Sequence, residues 1–164
     1  MEEITYLKGD VTEPHIKPCV LAHVCNDAGG FGSGVAGAIA KKWPHVQQAY
    51  FDWAKTISLR GNFYLGQIQV VKAEDGIAVA NMIGQRDYGE GFHHIKPVRY
   101  EAIDECLYRL NLYLHQMQPK MMDKISVVCP RFGCGLAGGS WNLVEPLIMK
   151  NLVHSGWDVY VYDL

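Results

Sequence analysis

The sequence predicts a three-layer α/β/α domain on a mixed, largely parallel central sheet. Three observations predict it. Strand-like and helix-like segments alternate along nearly the whole chain, the pattern of a sheet with helices on both faces. A Glu74-Asp75-Gly76 turn joins two apolar runs, and Asp-Gly between such runs marks a hairpin, so one strand pair is antiparallel. Two glycine-rich loops each follow a strand and precede a helix. Both belong at the carboxyl edge of the sheet, where open α/β sheets bind ligands.

Taken in order, Ile4 to Lys8 alternates apolar and polar residues, as a half-buried strand does. Cys19 to Cys25 is a nearly continuous apolar run, expected of a strand covered on both faces. The first loop has glycines at 29, 30, 32, 34 and 37 within the stretch His23 to Trp43. A short helix is expected from Val35 to Trp43, and Pro44 suits the first turn of the next one. That helix buries Val46, Tyr50, Trp53 and Ile57 at helical spacing. Strands are expected at Gln67–Lys72 and Ile77–Ile83, then a polar, aromatic loop over 84–96 of the kind that often binds ligands. A long helix starts at Pro97, with Tyr100, Ile103, Leu107, Leu110 and Leu114 on its apolar stripe. Ile125 to Cys129 is a buried strand, Pro130 to Gly139 the second glycine loop, and Asp158 to Tyr162 the last strand. Asn142 and Glu145 have capping-box spacing for the helix between them.

With 164 residues, 49 % hydrophobic, the chain supports one globular domain, read as residues 1–164. A formal net charge of −2 argues against sequence-specific nucleic-acid binding, which calls for a basic surplus. The cysteines number five, without a CxxC pair, which speaks against a disulfide scaffold or zinc module. No metal-ligand spacing is present, so neither a metal nor a cofactor is expected. The opening MEEITYLKGD is too charged for a signal peptide, and no apolar run is long enough to span a bilayer. The expectation is a cytoplasmic protein with no membrane partner.

Glycine lets a ligand approach the backbone closely. A following helix offers unpaired N–H groups and the positive end of its dipole. Each loop is therefore a phosphate-type anion site, and two at one sheet edge suggest a single diphosphate ligand. Gly32 to Gly37 matches G-x-G-x-x-G literally. A dinucleotide site would need an acid closing the next strand, yet Asp52 falls on a predicted helix. The Walker lysine pattern is absent.

In this order, ITYLKGDV (4–11), Ala22 to Trp43 with Asn26 and its glycine loop, NMIGQ (81–85), PRFGCGLAGGSW (130–141) and the terminal VYDL resemble the macro domain, the module that binds ADP-ribose. The resemblance is strongest to small stand-alone macro domains that process ADP-ribose 1″-phosphate or remove ADP-ribose from carboxylates. It implies a three-layer macro-domain-like fold and, as partners, ADP-ribose or a derivative, including ADP-ribosylated macromolecules. It assigns Asp10 to the adenine amino group, with Val11 beside it, and Tyr162 to the adenine face. Asn26 would bond the distal ribose. Gly32, Ser33, Gly34 and Val35 would donate N–H groups to one phosphate and the distal ribose. Gly133, Cys134, Gly135 and Leu136 would donate to the other phosphate.

For catalysis the resemblance divides. One branch cleaves ADP-ribosyl esters with a lysine in the middle loop and an aspartate after Gly-Cys-Gly-Leu. Here those positions hold Gly84-Gln85 and Ala137, so that mechanism is not carried over. The phosphatase branch matches through His23-x-Cys25-Asn26. On that reading His23 acts as general acid or base, Asn26 holds the ribose and Asp27 orients a water. Gln85 and Tyr88 are candidates to line the distal pocket, and at most one of His93 and His94 would face it. The leading expectation is hydrolysis at the distal ribose of ADP-ribose 1″-phosphate. The alternatives are a non-catalytic ADP-ribose reader or scavenger, and a hydrolase that removes ADP-ribose from a modified acceptor.

Overall fold

The structure, a computed structural model, describes residues 2–27, 29–59, 65–86, 98–134 and 138–164. The chain runs β1 (Thr5–Lys8), β2 (Cys19–Asn26), α1 (Gly34–Lys42), α2 (Pro44–Leu59), β3 (Ile68–Glu74), β4 (Ile77–Gln85), α3 (Tyr100–Met117), β5 (Ser126–Cys129), α4 (Trp141–Asn151) and β6 (Val159–Asp163). The apolar run of β2 is buried at every position but the partly buried Val24, because helices cover both of its faces. Pro44 opens α2, where a missing N–H costs nothing. Gly76 takes a φ of +83° in the β3–β4 turn, a conformation open to glycine without penalty. Along α3, Ala102, Ile103, Cys106, Leu107, Leu110 and Leu114 form one buried stripe at helical spacing.

Among the described residues the strands form one six-stranded sheet in the order β1-β6-β5-β2-β4-β3. All neighbours are parallel except the β3–β4 hairpin. On one face α3 and α4 pack over Val20, Ala22, Ala80, Met82 and Val127. On the other, α1 and α2 pack over Leu21, Cys25, Val79, Ile83 and Val128. The expected three layers and mixed sheet are thus present. Strand β2 hands the chain to α1 and α2 on one face, whereas its neighbour β5 hands it to α4 on the other. Connections that leave adjacent parallel strands toward opposite faces open a crevice at the strands' carboxyl ends.

The capping box is a correction. The helix begins at Trp141, with Ser140 as N-cap and no side-chain cap bond. Glu145 instead accepts a hydrogen bond from the Tyr6 hydroxyl on β1, so a long-range contact displaces the local one. Pro146 consequently lies inside α4. The helix expected from Pro97 begins later, at Tyr100: Val98 pairs with Gln85 as an antiparallel bridge and Arg99 is extended as the N-cap of α3. Among the described residues no helix is long and apolar enough to cross a membrane.

Candidate functional site

The parallel strands bring Asp10, Asn26, Asp27, Gln85, the start of the second glycine loop and Tyr162 to one edge of the sheet. The two glycine loops leave the neighbours β2 and β5 on this edge.

The first loop is braced from below. Asn26 Nδ2 donates to the Gly30 carbonyl at 2.9 Å, and the Gly30 N–H donates back to Asn26 Oδ1 at 3.1 Å. The buried Tyr50 hydroxyl of α2 donates to the Asn26 carbonyl at 2.7 Å. Phe31 is buried between Tyr50 and His23, with ring centroids 5.0 and 5.5 Å away. Gly37 lets the loop close onto α1, since an ideal Cβ there would lie 2.8 Å from the Gly32 carbonyl oxygen. Above this base Gly32, Ser33 and Gly34 are exposed and Val35 is half-buried. Ser33 is the N-cap of α1 without a side-chain cap bond, and the first turn of α1 holds no acidic residue. First-turn N–H groups have no intrahelical partner, so this end of α1 favours an anion.

The second loop is clamped at both ends. Arg131 makes a two-pronged contact with Asp163 of β6, at 2.7 and 3.1 Å. Its guanidinium also lies over the Tyr6 and Trp141 rings. The loop closes where the Gly139 N–H donates to the Gly133 carbonyl at 2.8 Å. An ideal Cβ on Gly139 would lie 2.1 Å from that same oxygen, a clash that only backbone movement relieves. Gly139→Ala therefore lowers stability by about 1–3 kcal/mol, read as a fall in Tm. Gly32→Ala, with no described residue within 4 Å of its Cβ, leaves Tm nearly unchanged. Equal Tm values for the two variants would contradict this loop geometry. The Cys134 thiol donates to the Phe132 carbonyl at 3.7 Å, and burial pushes its pKa up. It therefore lacks the thiolate character that a nucleophile needs. Gly135, Leu136 and Ala137, like Tyr88, His93 and His94, lie outside the described residues.

At the other end of the crevice, Asp10 Oδ1 accepts from the Thr12 N–H and hydroxyl at 2.9 and 2.7 Å. These bonds hold the carboxyl below its ordinary pKa. Val11 is buried beside it. Tyr162 is only 7 % exposed, and its hydroxyl accepts from the His15 N–H at 2.9 Å. An ideal Cβ on Gly9 would lie 3.6 Å from the Tyr162 ring, so that ring faces the turn before Asp10.

His23 is 1 % exposed. Its Nε2 meets Asn81 Oδ1 at 2.5 Å, and burial pushes the imidazole pKa down to about 4. It is therefore neutral at neutral pH. Sequence reasoning missed the supports: Tyr50, Phe31, Asn81, Gln69, Arg131 and His15. Most read as ordinary core or surface residues until strand order is known. The pairing of Asn81 with His23 follows from the β2–β4 register, which no local pattern displays.

No family model matches the chain. Its likeness to known proteins nevertheless runs end to end. A protein of unknown function from Bacteroides thetaiotaomicron is 41 % identical, with a TM-score of 0.88 over 99 % of this chain and 98 % of that one. The ADP-ribose 1″-phosphate phosphatase of Lodderomyces elongisporus is 28 % identical over 98 % of this chain and 99 % of its own length. A macrodomain protein from Streptomyces coelicolor is 41 % identical, with a TM-score of 0.82 and 99 % of each chain covered. Shared sequence over the full length of both chains, on the same fold, shows that this chain belongs to the macrodomain family.

Proposed function

We propose that the crevice binds ADP-ribose and that the protein hydrolyses ADP-ribose 1″-phosphate to ADP-ribose and inorganic phosphate. The observation that carries this reading is the departure of both glycine loops from neighbouring parallel strands at one sheet edge. In this reading Gly32 to Val35 and Gly133 to Leu136 hold the diphosphate through backbone N–H groups. Asp10, Val11 and Tyr162 receive the adenine. Asn26 and Asp27 stand at the distal ribose, with Asp27 orienting the attacking water. The water adds to phosphorus, the bond from phosphorus to the ribose oxygen breaks, and that oxygen takes up the proton that the water gives up, so ADP-ribose and inorganic phosphate leave. His23 stays neutral and serves as an acceptor rather than a proton source. Orientation of the ligand supplies much of the rate. The full-length likeness to the L. elongisporus phosphatase supports this choice of substrate.

A second reading has its own support. His23, the sequence's candidate general acid or base, is buried and held neutral by its surroundings. That favours a reader of free or protein-linked ADP-ribose that performs no chemistry. One assay separates the readings: phosphate release from ADP-ribose 1″-phosphate by wild type and Asp27→Asn, beside calorimetry with ADP-ribose. Release by wild type that drops at least about tenfold in the variant at equal ADP-ribose affinity supports the phosphatase. Tight binding without release leaves the reader. An ADP-ribosylated acceptor in the same assay tests removal of ADP-ribose from macromolecules.

A further inference from the structure

A row of polar side chains crosses the apolar layer beneath α1 and α2. His23 pairs in register with Asn81, and Asn81 with Gln69, so the three lie side by side on β2, β4 and β3. His23 Nε2 meets Asn81 Oδ1 at 2.5 Å, Asn81 Nδ2 meets Gln69 Oε1 at 3.0 Å, and Gln69 Nε2 meets the Ala49 carbonyl of α2 at 3.0 Å. His23 and Asn81 are buried among Leu21, Cys25, Val79 and Ile83. Polar groups in such a layer are costly unless each is bonded. Among the described residues one atom in the row has no partner: His23 Nδ1.

The direction of this chain of bonds is fixed at one end. A backbone carbonyl only accepts, so the Gln69 group that meets Ala49 is its NH2. Its Oε1 therefore faces Asn81 and accepts, which turns the Asn81 NH2 toward Gln69. Asn81 Oδ1 then faces His23 and accepts in turn, so His23 Nε2 carries the proton. A neutral imidazole with its proton on Nε2 presents a lone pair at Nδ1. The orientations of Asn81 and Gln69 thus follow from an unambiguous acceptor, and not from amide assignment alone. The imidazole packs edge-on against Phe31, a residue of the first glycine loop.

We infer that Gln69 and Asn81 are positioning residues, which lock His23 as the Nε2–H tautomer so that its buried Nδ1 accepts a hydrogen bond from one O–H donor beneath the first glycine loop. The donor is a water molecule or a hydroxyl of the bound ligand. The tautomer stands independently of the function proposed above; the ligand hydroxyl rests on that reading.

The test is long-range proton–nitrogen NMR of the whole chain labelled with nitrogen-15 in histidine, with His23 assigned by the signals missing from His23→Phe. At neutral pH the wild type shows Nε2 protonated and Nδ1 bare. Gln69→Leu removes the anchor that orients Asn81, and the signals move toward the Nδ1–H form. Gln69→Glu, as the protonated acid, donates its O–H to the Ala49 carbonyl, keeps its other oxygen facing Asn81 and retains the wild-type pattern, a rescue that mere packing would not give. A wild-type Nδ1–H form, or a tautomer unmoved by Gln69→Leu, overturns the inference. An Nδ1 shift typical of a bonded lone pair without ligand identifies water. A shift that arises only on saturation with ADP-ribose identifies the ligand hydroxyl. A bare, unbonded Nδ1 in both states refutes the acceptor role. Absence of phosphate release would defeat the proposed function and leave the tautomer result intact.

Discussion

Gly34→Glu lowers the affinity for ADP-ribose by at least about 100-fold while the sheet remains folded. Gly34 is the first residue of α1 and is exposed beside the N–H groups of its first turn. No described residue lies within 4 Å of an ideal Cβ built there, so the new side chain extends toward where the ligand phosphate is proposed to sit. Two effects must be separated. The backbone at Gly34 has a φ of +58°, and any residue with a Cβ pays roughly 1–2 kcal/mol to adopt it. A carboxylate adds like-charge repulsion of several kcal/mol against a diphosphate and competes for the same N–H groups. Gly34→Ala carries the strain without the charge. Calorimetry with ADP-ribose on both variants, with Tm as the check on folding, isolates the electrostatic part. Equal affinities for the alanine and glutamate variants would mean that no anion binds at this end of α1.

That prediction was available from the sequence because glycine loops are local. Their residue types announce a backbone that a ligand can approach, and the strand before each loop places it at the carboxyl edge. The apolar runs of β2 and β5 and the stripe of α3 were readable for the same reason, since periodicity within one element reports which face is covered. What lay beyond the sequence depends on neighbours distant along the chain. The adjacency of β2 and β5, which puts the loops side by side, follows from the crossover through α3 and has no local signature. The capping spacing of Asn142 and Glu145 misled because Tyr6, far along the chain, engages Glu145. Most instructive is His23: its place on an apolar strand was plain, but its neutrality depends on burial and on Asn81 beside it in register.

The same burial has a consequence for stability: the fold loses about 3 kcal/mol as pH falls from 6.5 to 4, and His23 is the source. In the unfolded chain a histidine takes up a proton near pH 6.5, whereas in the folded protein His23 resists protonation until about pH 4. Between these values the unfolded state binds more protons, so stability is full above the higher pKa and falls as pH drops toward the lower one. The carboxylates act in a different window. Asp10 and Asp163 are held below their ordinary value of 3.8, by hydrogen bonds from Thr12 and Arg131 respectively. Their stabilisation is present above that value and is lost only as pH falls through and beneath it. Decline between pH 6.5 and 5 therefore separates the histidine from these groups. Urea unfolding at closely spaced pH values reads the slope, and His23→Phe supplies the comparison. The variant starts less stable, because Asn81 Oδ1 loses its donor at a cost of about 1–3 kcal/mol, but its stability is flatter across this window. Parallel slopes for wild type and variant would show that His23 titrates alike in both states, and that the imidazole is not enclosed by Phe31 and the glycine loop above it.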